Sequence, residues 1–317
     1  MKKALVLGGN GFIGHHMARR LKSEGYFVCT VDIKEYEYGE VDFSDYQIIG
    51  DLRNELLVQK ILEEGYDEIY QYAADMGGAG YIFTGENDAN IMSSSAAINI
   101  NVLKHMKGHE KIFYASSACI YPQEKQTTTD VELRESDAYP ANPDSAYGFE
   151  KLFSENLYDS FARNGGYDIR VGRFHNIFGE EGAWSNGKEK APAAICRKVA
   201  EAKDSIDIWG DGEQTRSFLY IDECIEATRR LMWSNFRQPI NIGSDEIISI
   251  NQLAGMVIRM SDKTISVNHV DGALGVRGRC SNNDLIYAVL GWKPTQPLYD
   301  GIKKLYSWVS KQVNGNI

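Results

Sequence analysis

The segment LVLGGNGFIGHHMARRL, residues 5–21, constrains this chain more than any other. A short apolar run stops at two glycines, and apolar positions then recur at helical spacing, so the pattern is strand, turn, helix. Gly8, Gly11 and Gly14 stand in the order GxxGxxG around Phe12 and Ile13. The first glycine permits a tight turn, the second lets a pyrophosphate approach the backbone, and the third allows close helix packing. The helix start turns its N–H groups towards the phosphates. A glycine-rich turn alone also fits an ordinary strand-to-helix connection. Here Asp32 closes the next strand-like run, FVCTVD, at the spacing where a carboxylate meets the adenosine ribose. That carboxylate would repel a 2′-phosphate, so the cofactor expected is NAD rather than NADP, with Lys34 nearby as the opposing charge. Asp51, in GDLR after another strand-like stretch, is placed to reach the adenine, or is an ordinary turn aspartate.

The alternation continues. NELLVQKILEEG and ANIMSSSAAININVLKHMKG read as helices, and DEIYQYAAD and KIFYASSA as strands. Strands alternating with helices predict an α/β fold, a doubly wound parallel Rossmann sheet covered on both faces. The pattern changes after about Gly172, where GRFHNIFGEEGAWSNGKEKAP reads as loop. Residues 1–172 are therefore expected to form the NAD-binding domain, rejoined by part of 215–245. Residues 173–317 are expected to be mainly a smaller α/β substrate-binding lobe.

A net charge of -10 argues against a nucleic-acid or anionic-membrane partner, whose footprint would be basic. The five cysteines form no CxxC pair, which suggests neither a disulfide framework nor a metal site and suits a reducing cytoplasm. No apolar run is long enough to span a bilayer, and glycines interrupt the N-terminal run too early for a signal peptide.

SAYGFEKLF sets Tyr147 and Lys151 four residues apart on one helical face. A neighbouring ammonium favours the ionised phenol, so Tyr147 is a candidate base for a hydroxyl whose carbon gives up a hydride. Lys151 could also hold the nicotinamide ribose. Upstream, YASSACIYP brings Ser117, a hydrogen-bonding partner for Tyr147 or a strand-end cap, and Cys119, an odd residue if the segment only has to pack.

GGNGFIG, SSAC and YGFEK, in that order, resemble the extended short-chain dehydrogenase/reductase family acting on nucleotide sugars. AADMGGAG, YASSACIYP, GRFHNIFG, EKAPAA, WGDGEQTRSF and GVRGR are similar to the branch that inverts C3 and C5 of GDP-mannose. The resemblance runs over nearly the whole chain, while GEEGAW and SNGKEK depart from it. It implies an isomerase with tightly bound NAD, which oxidises C4 of a GDP-hexose, enolises the ketone and reduces it again. It assigns Cys119 and Lys190 to the acid/base pair that works on C3 and C5. It also places Gly77, Ala118, Asn176, Glu189, Ala191, Lys198, Gln214, Arg216, Ser217 and Arg279 around the sugar or the diphosphate. Arg216 and Arg279 carry the planar fork suited to phosphate, or to an interdomain ion pair. A homodimer is implied through the helix ending near Lys107 and the helix carrying Tyr147. Two other readings stay open: an enzyme for a related nucleotide sugar such as a GDP-heptose, or inverting one centre only, and a non-catalytic dinucleotide sensor.

Overall fold

A computed structural model describes residues 1–272 and 275–315. Seven parallel strands form the central sheet: β1 (Lys3–Leu7), β2 (Phe27–Asp32), β3 (Tyr46–Ile49), β4 (Glu68–Gln71), β5 (Lys111–Ser117), β6 (Asp168–Phe174) and β7 (Ile240–Ile242). Their order is β7-β6-β5-β4-β1-β2-β3, so the direction of winding reverses between β1 and β4. Ligands of open α/β sheets bind at the carboxyl ends beside such a reversal.

The strands read as continuous apolar runs because both faces are covered. Alternate residues of β1 enter different cores. Ala4 and Val6 pack with Met17, Leu21, Cys224 and Leu231 from helices Phe12–Ser23 and Ile221–Trp233. Leu5 and Leu7 pack with Val58, Ile98, Val102 and Tyr158 from helices Glu55–Glu63, Asp88–His105 and Ala146–Gly165.

The structure departs from the sequence reading at β6. Gly172, Arg173 and Phe174 complete a central strand instead of opening a loop. Arg170 and Arg173 hide the strand's character, since each is a charge in a buried strand. Arg170 is neutralised by Asp168 at 2.6 Å, and Arg173 by the equally buried Glu155 at 2.8 Å. Ile240–Ile242, in the segment PINIG, pairs in parallel with β6 as the seventh strand.

Beyond the carboxyl ends lies a four-stranded sheet in the order Ile247–Ser249, Thr215–Ser217, Gly278–Ser281, Glu132–Leu133. Its parallel register sets Arg216 directly beside Arg279. A two-stranded piece pairs Ser205–Trp209 with Ser266–Val270. No helix among the described residues is long and apolar enough to cross a membrane.

The turn after β1 depends on two glycines. Gly8 has φ +78°, the left-handed region, and its N–H donates to Val31 O at 2.8 Å. Gly14 sits in the first turn of the following helix, where an added Cβ would strike the Gly8 carbonyl oxygen. Gly14→Ala should therefore push the helix off the turn and lower stability by roughly 1–3 kcal/mol, the usual range for overpacking. Urea unfolding and titration with NAD check this. Wild-type stability together with unchanged binding would show that the turn has room to spare.

Candidate active site

The carboxyl ends of β1, β2, β4 and β5 open into a cavity of about 740 Å³. Gly8, Gly11, Phe12, Ile13 and Gly14 line one end of it together with Asp32 and Asp51. Gly11 caps the helix Phe12–Ser23 without any side-chain hydrogen bond to the first turn, so no side chain stands between those N–H groups and an anion. The glycine cradle that a Cβ would fill, the uncapped helix start and the Asp32 carboxylate together suit a dinucleotide.

Asp32 is buried, and each of its oxygens already accepts one backbone N–H, from Asn10 at 3.0 Å and from Lys34 at 3.2 Å. It thus caps the turn and retains a lone pair on each oxygen for hydroxyl donors. Asp51 is held by the Arg53 fork, at 2.7 Å from Nη2, which keeps its carboxyl below the usual range. Arg53 lines the cavity as well, a neighbour that the sequence reading missed.

At the other end stand Ser117, Tyr147, Lys151, Gly77 and Lys190. Ser117 ends β5, and its Oγ accepts the Cys119 N–H at 3.2 Å, which starts the short turn Ala118–Ile120. The same hydroxyl opposes the upward shift of the Tyr147 phenol, so Ser117 is both strand-end cap and neighbour of the phenol. Ser145 caps the helix Ala146–Gly165 by accepting from Gly148 N at 3.2 Å. An added Cβ on Gly148 would strike the Cys119 carbonyl oxygen, so this glycine lets the helix lie directly on the cysteine turn. One turn further on, Lys151 Nζ donates to Ala115 O at 3.0 Å and lies 5.7 Å from the centre of the Tyr147 ring.

The electrostatics here differ from the sequence expectation. Burial, followed by the charge of Cys119, pushes the Tyr147 phenol up against the opposing Ser117 hydrogen bond. Burial lowers Lys151. The Lys151 ammonium points at a backbone carbonyl, and full burial of the phenol outweighs it.

Cys119 does not itself line the cavity, but it packs with Tyr147 under its rim. Arg279 Nη1 donates to Cys119 Sγ at 3.1 Å. The same guanidinium donates from Nε to Gln126 at 2.6 Å and from Nη2 to Asp144 at 2.8 Å. The pair Arg279–Asp144 is almost wholly buried. Arg216 donates to the carbonyls of Thr215 and Val276 at 2.7 and 2.9 Å. Burial and the adjacent Arg279 bring Arg216 down to about 10. Lys190 precedes the helix Ala191–Glu201, and burial lowers its amine against the pull of Cys119 and Cys224.

The remaining expected residues are held by the protein itself. Asn176 (φ +44°) donates to Ser217 O at 2.9 Å, and Ser217 Oγ accepts from Ser281 N at 3.3 Å. Glu189 pairs with Arg197 at 3.0 Å, and Lys198 donates to Asp207 O at 2.6 Å. Gln214 donates to Trp209 O at 3.2 Å while its Oε1 is buried without a partner among the described residues. Ala191 begins its helix, half-buried, and the Ala118 methyl packs with Ile120 and Tyr121. An added Cβ on Gly77 would meet the Tyr81 ring. His175 is fully buried against Asn241, and burial pushes it down to about 3, as suits a packed histidine.

Sequence reasoning missed Gln126 and Asp144, which hold Arg279 on the sulfur. The one signal for Asp144 is its place three residues before Tyr147. It also missed Glu181, whose carboxyl is held at about 2, chiefly by His15. His15, His16 and Glu181 offer ligand atoms within 4.8 Å of one another. Arg19 reaches the same Glu181 oxygen at 3.4 Å, so a protein cation already neutralises it.

Comparison with known proteins points the same way as the geometry. GDP-mannose 3,5-epimerase 1 of Oryza sativa subsp. japonica is 46% identical over 97% of this chain and 82% of its own length. GDP-mannose 3,5-epimerase of Arabidopsis thaliana is 46% identical over 98% of this chain and 83% of its own length. Among solved structures, UDP-glucuronic acid 4-epimerase from Bacillus cereus, in complex with UDP-glucuronic acid and NAD, superposes with a TM-score of 0.83. It is 24% identical and covers 98% of this chain and 99% of its own. UDP-glucose 4-epimerase of Thermotoga maritima, with UDP-glucose, gives 0.84 at 23% identity, with the same coverage. Residues 4–243 match the NAD dependent epimerase/dehydratase family, and the chain belongs to it.

Proposed function

We propose that this protein inverts C3 and C5 of a GDP-hexose, converting GDP-mannose to a GDP-L-galactose type product. The observation that carries the reading is the placement of Cys119. Its sulfur accepts from Arg279, and its side chain packs against Tyr147. The GDP-mannose 3,5-epimerases at 46% identity support the same substrate class.

The backbone at Gly11–Gly14 would hold the pyrophosphate of NAD, Asp32 a ribose, and Lys151 the nicotinamide ribose. When bound, NAD supplies the hydride acceptor and donor for C4 and, in its oxidised form, a positive charge near the phenol. Tyr147 takes the proton of the C4 hydroxyl, with Ser117 orienting both oxygens. Beside a C4 ketone, the hydrogens on C3 and C5 are acidic. Cys119 removes them as a thiolate, and Lys190 returns protons from the opposite face. Its lowered basicity suits a donor, because a buried ammonium gives up its proton more readily. Arg216 and Arg279, side by side, present two guanidinium groups suited to a diphosphate. The presence of both Tyr147 and Lys151 in the cavity lining weighs against a sensor without catalysis.

Exposed Met92 and Ile100 on the helix Asp88–His105, with Phe149 and Phe153 on the helix Ala146–Gly165, form an apolar surface. These two helices pack together, and a second copy covering them gives a homodimer. The five unpaired cysteines fit a reducing compartment, the cytoplasm.

Incubation with GDP-mannose in D₂O tests the function. NMR should find deuterium at C3 and C5 and an inverted product, without accumulation of free NADH. A product labelled at neither carbon would overturn the reading. Analytical ultracentrifugation should give twice the chain mass, and Phe149→Glu with Phe153→Glu should halve it. A wild-type monomer would remove the dimer.

A further inference from the structure

The loop after β6 does more than lead to Lys190. Its residues Gly179, Gly182 and Ala183 line one wall of the cavity, while Ile33, Lys34 and Glu37, which follow β2, line another. The two walls are tied directly to each other. Tyr36 OH donates to Glu181 Oε2 at 2.7 Å, and Tyr38 OH donates to Gly182 O at 2.9 Å. Both tyrosines are anchored from behind: Tyr36 packs on Phe43 at 5.0 Å between ring centres, and Tyr38 on Trp308 at 5.3 Å.

The same Glu181 oxygen also faces the helix that follows the glycine turn. His15 Nε2 lies 2.9 Å from it, and His15 Nδ1 donates to Gly11 O at 2.9 Å. Arg19 approaches that oxygen at 3.4 Å. Next to it, His16 Nε2 donates to Glu180 O at 3.2 Å, while Tyr220 OH donates to the Glu180 carboxylate at 2.8 Å. Glu181 has φ +59°, which is unfavourable for a residue with a Cβ. Its carboxylate contacts hold it there. A surface loop with no task would not need a strained residue serving three partners from two other elements.

The geometry points to Glu181 as the centre of a clasp that joins the two walls of the cavity and restrains the dinucleotide from leaving. Glu181 does not itself line the cavity and is a positioning residue. The inference rests on the reading that NAD occupies this end of the cavity. Its chemical sense follows from the proposed reaction: the hydride returns to the sugar that supplied it, so a cofactor that departs in its reduced form strands a ketone. Retention, rather than exchange, is what such a cycle requires.

Release of NAD tests the clasp. The purified protein is loaded with isotopically labelled NAD, chased with unlabelled NAD, and followed by rapid filtration. Glu181→Gln removes the charge that Tyr36 and Arg19 meet, and Tyr36→Phe removes one hydroxyl without disturbing the core. Each should release the label roughly tenfold faster than wild type, since a lost charge-assisted hydrogen bond is worth about one decade or more. Both variants should keep the wild-type KM for the sugar nucleotide when NAD is saturating. Wild-type release rates in both variants would overturn the clasp. Failure of the wild-type protein to retain labelled NAD at all would instead overturn the dinucleotide reading.

Discussion

The site depends on one close contact, that between Gly148 and the carbonyl of Cys119. Any side chain at position 148 would strike that oxygen, so the helix and the cysteine turn can share this space only through a glycine. With the helix seated there, Tyr147 meets Ser117, and Lys151 reaches the Ala115 carbonyl at 3.0 Å. Among the described residues Lys151 makes no other hydrogen bond, and its side chain is buried. That burial is tolerable because the strand end supplies an acceptor. Phenol, hydroxyl, lysine and thiol are thus brought together by one docking event between β5 and one helix. The chemistry follows from how closely two backbones approach.

Around that contact, burial sorts the ionisable groups. It raises the phenol of Tyr147 and lowers the amines of Lys151 and Lys190. Each shift disfavours the charged form, which is the direction desolvation always takes. Arg279 resists it because Asp144 and Cys119 face its guanidinium. Arg216, set beside another cation by the strand register, is lowered instead. An anionic ligand would stabilise two guanidinium groups set side by side.

Much of this was legible in the sequence because it is local. The glycine spacing, the carboxylate ending β2 and the four-residue step from Tyr147 to Lys151 are each set within one strand, turn or helix. The parallel sheet was legible for the same reason, as apolar runs alternating with amphipathic helices. What escaped is long-range. Arg173 disguised the end of β6 as loop, because its buried partner Glu155 lies 18 positions away on a helix and cannot be matched to it by spacing. Asp144 and Gln126 lie 135 and 153 positions from the Arg279 that they hold. Glu181 meets Tyr36 across 145 positions. The sequence marked its loop only as a departure in composition. Burial, too, had no sequence signature, and it reversed the expected effect on the Tyr147 phenol.

The central claim is that Cys119 is the group that takes protons from carbon. The most direct measurement follows deuterium uptake by GDP-mannose in D₂O on the Cys119→Ala protein, with absorbance at the wavelength of reduced nicotinamide recorded alongside. Tyr147, Lys151 and Ser117 remain in that protein, so oxidation at C4 should persist and the reduced cofactor should build up. A methyl group accepts no proton, so label at C3 and C5 should disappear. Exchange at both carbons at the wild-type rate would contradict the account and leave Cys119 a packing residue.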